Sequence, residues 1–190
     1  MTEYPTINLN TSNNSWFKED ITFKYIPNDN TNFSKCDLII NNQFNQTNSS
    51  EILNGQENEF VISDFGDGIY TWAINCTDLY SLENSSETRV IYRDSQVPTI
   101  NLSTPGDGEN IFSGNIEFNF TVMDNLAENL TCNITVDNTV VDSNFPVLNG
   151  TLINRTNSIN PGVHFWNVTC WDPIGNLNIS TTRNFTNLKH

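Results

Sequence analysis

The sequence predicts an all-β protein of two tandem antiparallel β-sandwich domains, residues 1–95 and 96–190, arranged end to end. Three observations predict it. The stretch Gly68-Ile69-Tyr70-Thr71-Trp72-Ala73-Ile74-Asn75-Cys76-Thr77-Asp78 returns 94 residues later as Gly162-Val163-His164-Phe165-Trp166-Asn167-Val168-Thr169-Cys170-Trp171-Asp172. Apolar and polar residues alternate with a period of two, and helical periodicity is absent throughout. Turn signals rich in Pro, Asn, Asp and Gly separate about six or seven short runs per unit, the density of a sandwich.

Each unit opens on the same words. Pro5-Thr6-Ile7-Asn8-Leu9 recurs as Pro98-Thr99-Ile100-Asn101-Leu102 at a spacing of 93, which sets the boundary near Ser95 to Val97. Ile21, Phe23 and Tyr25 alternate in a second strand, matched by Ile116, Phe118, Phe120 and Val122. Turns follow at Pro27-Asn28-Asp29-Asn30 and at Asp124-Asn125-Leu126-Ala127-Glu128. A third strand carries Cys36, Leu38 and Ile40, echoed by Cys132, Ile134 and Val136. Gln43 to Gly55 and Val140 to Gly150 differ in length and pattern, and read as a variable loop or short edge strand. Glu59 to Phe65 and Leu152 to Ile159 lead through a turn into the Trp/Cys strand. There Tyr70, Trp72, Ile74 and Cys76 share one face, as do His164, Trp166, Val168 and Cys170, so that face is buried. Arg89 to Tyr92, aligned with Arg183 to Thr186, closes each unit. That last strand runs almost directly into the next unit's first, leaving the linker little slack, so the sandwiches are expected to stack as a short rod.

Charge excludes one class of partner. The formal net charge is −14, with 8 Lys and Arg against 22 Asp and Glu, whereas nucleic-acid phosphates must be neutralised by basic side chains. Anionic membrane surfaces are disfavoured for the same reason. Hydrophobic residues make up 36% and aromatic residues 11%, many of them strand formers, which separates the chain from disordered acidic tails. No apolar run reaches the roughly 18 residues of a spanning helix, and Met1-Thr2-Glu3-Tyr4-Pro5 lacks a secretory signal's basic start and apolar run. Direct membrane insertion is not expected, and the chain reads as a mature or excised piece of a longer protein. Its ends, Met1 and His190, are compatible with added as well as native residues.

Four cysteines allow three pairings. Repeat symmetry selects Cys36 with Cys76 and Cys132 with Cys170, because any other pairing breaks the symmetry and ties the two units together. The alternative is four free, buried thiols. Cystines imply an oxidising, extracellular or cell-surface setting.

Asparagine points the same way. With 33 Asn and 36 Ser plus Thr among 190 residues, chance gives about six Asn-X-Ser/Thr sequons; the sequence has sixteen. The acceptor candidates are Asn45, Asn48, Asn75, Asn84, Asn133, Asn167 and Asn178. Asn75, Asn133 and Asn167 fall opposite the proposed core, where a bulky glycan has room. The alternative is a genome-wide enrichment in Asn that does not select sequons.

Several motifs together resemble a known family. They are the opening Pro-Thr-Ile, the Cys followed by alternating apolar residues, the run from Asp67-Gly68-Ile69-Tyr70 to Asn75-Cys76-Thr77-Asp78, and Asp172-Pro173-Ile174-Gly175-Asn176. This pattern resembles the Ig-like repeats of long archaeal cell-surface proteins, with bacterial adhesin and surface-layer proteins as further members of the type. It covers nearly the whole chain, twice. Two departures stand out. Unit 1 has Asp78-Leu79-Tyr80-Ser81-Leu82 where the Gly-Asn loop is expected, and neither second strand carries the Cys that antibody-type domains place there. The cystine would instead join the third strand to the sixth. The resemblance implies Ig-like sandwiches and a stalk, adhesion or surface-layer role.

An Ig-type topology also gathers oxygen ligands. The loop before the Trp/Cys strand of the first unit and the loops after the second and sixth strands of the second unit are expected at the junction. Asp64, Asp67, Asp94, Asp124, Asn125 and Asp172 are therefore candidate ligands for an interdomain Ca²⁺, which takes about six to eight oxygens. The competing reading is ordinary solvated loop carboxylates, and no other cofactor is expected.

Catalytic readings fail. His164 lies on a strand's apolar face as a packed residue, and no Ser/His/Asp or Cys/His set can be built from bridged cysteines. Asp64-Phe65-Gly66 lacks a kinase's Gly-rich loop, strand Lys and catalytic loop, while Glu57 and Glu59 begin a polar strand with no cleft around them. The chain therefore reads as a non-enzymatic stalk module of a secreted or cell-surface protein, presenting or spacing other domains, with neighbouring domains of that protein as partners. One alternative is an adhesin or carbohydrate-binding module, with Phe165 and Trp171 as the platform for glycans or other surface proteins. Another is a subunit of an extracellular filament joined along a strand edge.

Overall fold

The computed structural model describes residues 3–189; Met1, Thr2 and His190, and with them the two chain ends singled out above, lie outside the described residues. The chain divides into two compact units, Met1–Ser95 and Gln96–His190. Every regular element among the described residues is a strand.

Unit 1 runs β1 (Thr6–Leu9), β2 (Ser15–Phe17), β3 (Ile21–Asn28), β4 (Phe33–Ile40), β5 (Gln43–Asn48), β6 (Asn58–Ile62), β7 (Gly68–Asp78), β8 (Glu83–Ser85) and β9 (Arg89–Arg93). One sheet has the order β1-β3-β6 and the other β2-β9-β7-β4-β5, with β8 pairing with the second half of β7. Unit 2 runs β10 (Thr99–Thr104), β11 (Glu109–Ile111), β12 (Asn115–Met123), β13 (Asn129–Val136), β14 (Thr139–Leu148), β15 (Leu152–Ser158), β16 (Gly162–Trp171), β17 (Leu177–Ile179) and β18 (Arg183–Asn187). Its sheets, β10-β12-β15 and β11-β18-β16-β13-β14, repeat the topology, with β17 on β16. Pairing is antiparallel except at β2 with β9 and β11 with β18, which are parallel.

Alternation builds each core. Ile21, Phe23 and Tyr25 on β3 are fully buried between exposed or half-buried neighbours, as are Ile116, Phe118, Phe120 and Val122 on β12. From the facing sheet, Trp72 meets Phe23 and Trp166 meets Phe118, each with ring centroids 5.0 Å apart. Each such side chain contributes about 1.5–3 kcal/mol on burial, so the repeated Trp sets where the two sheets meet. The segments read as loop or edge strand are edge strands, β5 and the longer, bulged β14.

Two-residue turns fix the register of these hairpins. Asn41 and Asn42 have φ of 50° and 60°, Asp137 and Asn138 of 49° and 62°. Positive φ at both central positions marks the turn whose twist matches the strands. The same side chains then reach the neighbouring strand: the Thr71 N–H donates to Asn41 Oδ1 and the Phe165 N–H to Asp137 Oδ1. That bond first, and His164 second, hold the Asp137 carboxyl below its ordinary value.

The loop after the Trp/Cys strand keeps its shape where the sequence departs. Asp78 Oδ1 accepts from the Tyr80 and Leu82 N–H groups, as Asp172 Oδ1 does from Ile174 and Asn176. Ser81, at φ 67°, takes the place of Gly175 at φ 87°. A left-handed conformation costs a residue with a Cβ about 1–2 kcal/mol, part of which a glycine gives back as unfolded-state entropy. Ser81→Gly is therefore expected to stabilise unit 1 by about 0.5–1 kcal/mol in urea titrations; a loss of stability would show that the Ser81 side chain has a structural role.

Candidate functional site

The four cysteines form two cystines. Cys36 and Cys76 are direct cross-strand partners on β4 and β7, and Cys132 and Cys170 on β13 and β16. The S–S distances are 2.03 and 2.06 Å and the Cα separations 4.0 and 4.2 Å, in the closer class of antiparallel pair. Each bond ties neighbours within one sheet and leaves the joining of the two sheets to the apolar core.

The sequon asparagines differ in what their amides do. An N-glycan is carried on Nδ2, so an asparagine already donating from Nδ2 must give up that bond to be modified. Asn84 Nδ2 donates to the Pro5 carbonyl at 2.8 Å and Asn178 Nδ2 to the Pro98 carbonyl at 2.7 Å. These two candidates anchor the residue just before each unit's first strand. Asn75 Nδ2 donates to Glu83. Asn48 and Asn133 accept through Oδ1, from Ser50 and Asn144. Asn45 is exposed on β5 and Asn167 half-buried on the outward face of β16.

Another amide device went unread in the sequence. Asn54 Oδ1 accepts from the Asp29 N–H at 3.1 Å while Nδ2 donates to the carbonyls of Asp29 and Thr31, both at 2.8 Å. Asn149 does the same with Asp124 and Ala127, at 3.0, 2.8 and 2.8 Å. The signal was the shared Leu53-Asn54-Gly55 and Leu148-Asn149-Gly150, with both glycines at φ 72°.

The candidate cation ligands are placed as follows. Asp67 is engaged by the Arg93 guanidinium and by the Ser95 N–H, so a cation there would compete with a fixed positive charge. Asp64 is exposed in the same loop at φ 59°. Asp94 closes the last strand region of unit 1, its N–H donating to the Phe17 carbonyl at 2.9 Å. In unit 2, Asp124 and Asp172 bring carboxylate oxygens within 4.8 Å of each other, but both Oδ1 atoms already cap backbone N–H groups and Asp172 Oδ2 accepts from Asn176 Nδ2 at 2.7 Å. Asn125 is exposed beside them.

The proposed aromatic platform is not one surface. Phe165 and Trp171 project from the same face of β16, but six residues of strand separate them by about 20 Å. Trp171 instead lines an open groove of about 540 Å³ with Asn129, Leu130, Thr131, Pro146, Pro173, Ile174 and Gly175. Register explains the composition. Thr131 pairs across with Trp171 on one side and with Pro146 on the other, so one row of the outward face runs Pro, Thr, Trp. Once Cys132 and Cys170 are taken as cross-strand partners, this row follows one residue away, which is the signal the sequence offered.

No protein-family model matches the chain, and a search of curated proteins found no match. Among solved structures, it is similar to Clostridium thermocellum CbhA fibronectin(III)-like modules, with 13% identity over 97% of this chain and 97% of that one and a TM-score of 0.51. The fold is that of two tandem fibronectin-III/Ig-like sandwiches. Also similar are the chicken CNTN1 FN1-FN3 domains, at 14% identity over 99% of this chain and 68% of that one, TM-score 0.46. A 1.5-MDa bacterial ice-binding adhesin matches at 17% identity over 98% and 67%, TM-score 0.44.

In each fibronectin-III-like unit the residue before the Phe or Thr of the long strand closes a loop by its own chemistry. Tyr70 Oη donates to the Gly66 carbonyl at 3.0 Å; His164 places Nε2 2.9 Å from the Asn160 carbonyl and Nδ1 2.6 Å from Asp137, with its ring 5.4 Å from Phe185. His164 is thus held as a packing and loop-closing residue. Glu57 is likewise committed, to Lys24 at 2.8 Å and Asn10 at 2.8 Å.

Proposed function

We propose that the chain is a non-enzymatic structural module of a secreted or cell-surface protein, spacing or presenting the domains that neighbour it, in the manner of the archaeal surface repeats its sequence resembles. The observation that carries this reading is the duplication of scaffold chemistry. Cystine, Asn-to-Pro anchor, Asn-Gly clamp and post-strand Asp turn recur at equivalent positions in both units. Side chains invested twice in holding loops and strands support a role in which each unit must keep its form. Two cystines support an oxidising, extracellular setting.

Glycans at sequons whose Nδ2 is not spent on the scaffold, such as Asn45, Asn133 and Asn167, fit the same setting, and the neighbouring domains of a longer protein are the expected partners. Antibodies against the chain, applied to intact cells of its source, together with peptide mapping of the native protein without reductant, test the reading. Surface labelling with Cys36–Cys76 and Cys132–Cys170 peptides is the expected result. Four free thiols in a protein reached only after lysis would overturn it.

A further inference from the structure

We infer that the groove of unit 2 is the seat of an N-linked glycan carried by Asn129, with the Trp171 ring as the surface on which its first sugars stack. The inference rests on the secreted reading above and adds a site to it. Asn129-Leu130-Thr131 is a sequon, and all three of its residues line the groove together with Trp171. Leu130 points into the core at 2% exposure while Asn129 is exposed, so Asn129 and Thr131 face outward with Trp171. Thr131 is the direct cross-strand partner of Trp171, which makes Asn129 its diagonal neighbour, about 7–8 Å away and within reach of a side chain. The Asn129 amide, unlike those of Asn84, Asn149 and Asn178, is not one of the scaffold donors described above.

The rest of the groove suits a sugar. Pro146 and Pro173 add rigid apolar walls. The volume of about 540 Å³ falls within the roughly 300–1,000 Å³ range of small-ligand sites. An indole presents a negative π face to polarised C–H groups, the pattern on the flat side of a pyranose. The comparison between repeats points the same way. In unit 1 the equivalent cross-strand pair is Lys35 with Thr77, so unit 1 lacks the aromatic residue that unit 2 places at this position. Trp171 is an outward-facing Trp on a strand whose inward face already carries Trp166, and a covalently tethered sugar gives it a role that core packing does not.

The modification balances as a transfer from an oligosaccharide joined through its anomeric carbon to a lipid phosphate or pyrophosphate. Asn129 Nδ2 forms the bond to that carbon, the carbon–oxygen bond to the phosphate breaks with its electron pair leaving on the lipid phosphate, and the amide proton passes to a base of the transferase.

The test is the full chain secreted from a eukaryotic host, mapped by glycopeptide mass spectrometry and melted by calorimetry, beside unglycosylated chain from bacteria. Asn129 should be occupied. Asn129→Gln should lower the melting temperature of the glycosylated protein by about 4 °C, do nothing to the bacterial protein, and lose its effect in a Trp171→Ala background. Thr131→Ser, which keeps the sequon, should keep the increment. Equal losses with Trp171 in place and in the Trp171→Ala background would overturn the stacking role. A bare Asn129, on a chain glycosylated elsewhere or on one bare at every sequon, would overturn the site while leaving the secreted reading, which rests on the cystines and the duplicated scaffold, intact. Trp171-dependent binding of free N-acetylglucosamine oligomers by the glycosylated protein would show a groove open to external ligands, and would also overturn the inference.

Discussion

Replacing Cys36 and Cys76 together by alanine is expected to destabilise unit 1 by about 3–4 kcal/mol, because the bond closes a loop of 40 residues in the unfolded chain. The corresponding change at Cys132 and Cys170, with a loop separation of 38, should cost unit 2 about the same. In a unit of this size such a loss lowers the melting temperature by roughly 15–25 °C. The entropy of the open chain dominates, since the two cysteines are direct cross-strand partners in a register that extends along the paired strands. Loss of two thiol-sized groups from a fully buried site adds a smaller cavity cost. Calorimetry with and without reductant checks the result. A shift of only a few degrees in the paired variant would mean that the unfolded chain is already compact across β4 to β7, and the entropic account would have to be abandoned.

The second large effect is expected at the two Asn clamps. Asn54→Ala and Asn149→Ala each delete three hydrogen bonds to main-chain groups of the turn after β3 or β12. Each bond contributes about 0.5–1.5 kcal/mol net, and the partners left behind are partly buried, so a loss of about 2–4 kcal/mol is expected. Asn149→Asp should be no better than Asn149→Ala. It keeps the acceptor for the Asp124 N–H but turns two donors into a carboxylate facing the carbonyls of Asp124 and Ala127. Asn154→Ala, removing only an exposed 3.5 Å contact with Glu117, is the control and should stay within about 0.5 kcal/mol. Urea titration of the four variants decides. If Asn149→Ala were as mild as Asn154→Ala, water would be replacing the clamp and these loops would not depend on it.

The strands that bury one face were legible because alternation is a local property of the chain. Ile21, Phe23, Tyr25 and their counterparts, the Trp/Cys strand and the last strand all lie where the period of two puts them. The short strands β2, β8, β11 and β17, each of three residues, were not legible. Three residues carry no measurable period, and each is defined by the long strand it pairs with. Edge strands β5 and β14 were ambiguous for a related reason: β5 is exposed or half-buried throughout, so no apolar face announces it.

Asparagine shows the same division in the candidate sites. In sequence, Asn84, Asn149, Asn178 and Asn129 are equal members of the Asn-X-Ser/Thr set. In the folded units the first three spend their Nδ2 atoms on carbonyls that are distant in sequence, while Asn129 faces a groove with Trp171. A side-chain amide can donate its protons only once the fold has chosen what stands opposite, so composition counts the sequons and register sorts them.

By itself the sequence determined the class, the duplication and the cystine pairing: period-two alternation makes strands, a repeat of 94 residues makes two units, and cysteines at equivalent positions in both copies make two cystines. Tertiary structure alone decided that each cystine lies within a sheet, that Ser81 adopts a glycine's conformation, that Asp124 and Asp172 each spend Oδ1 on main-chain N–H groups, and that Trp171 sits beside a sequon and not beside Phe165. The physical reason is range. Alternation and repetition are written in the order of residues, whereas hydrogen-bond partners and outward neighbours are set across strands, by a register that exists only when the sheets have formed.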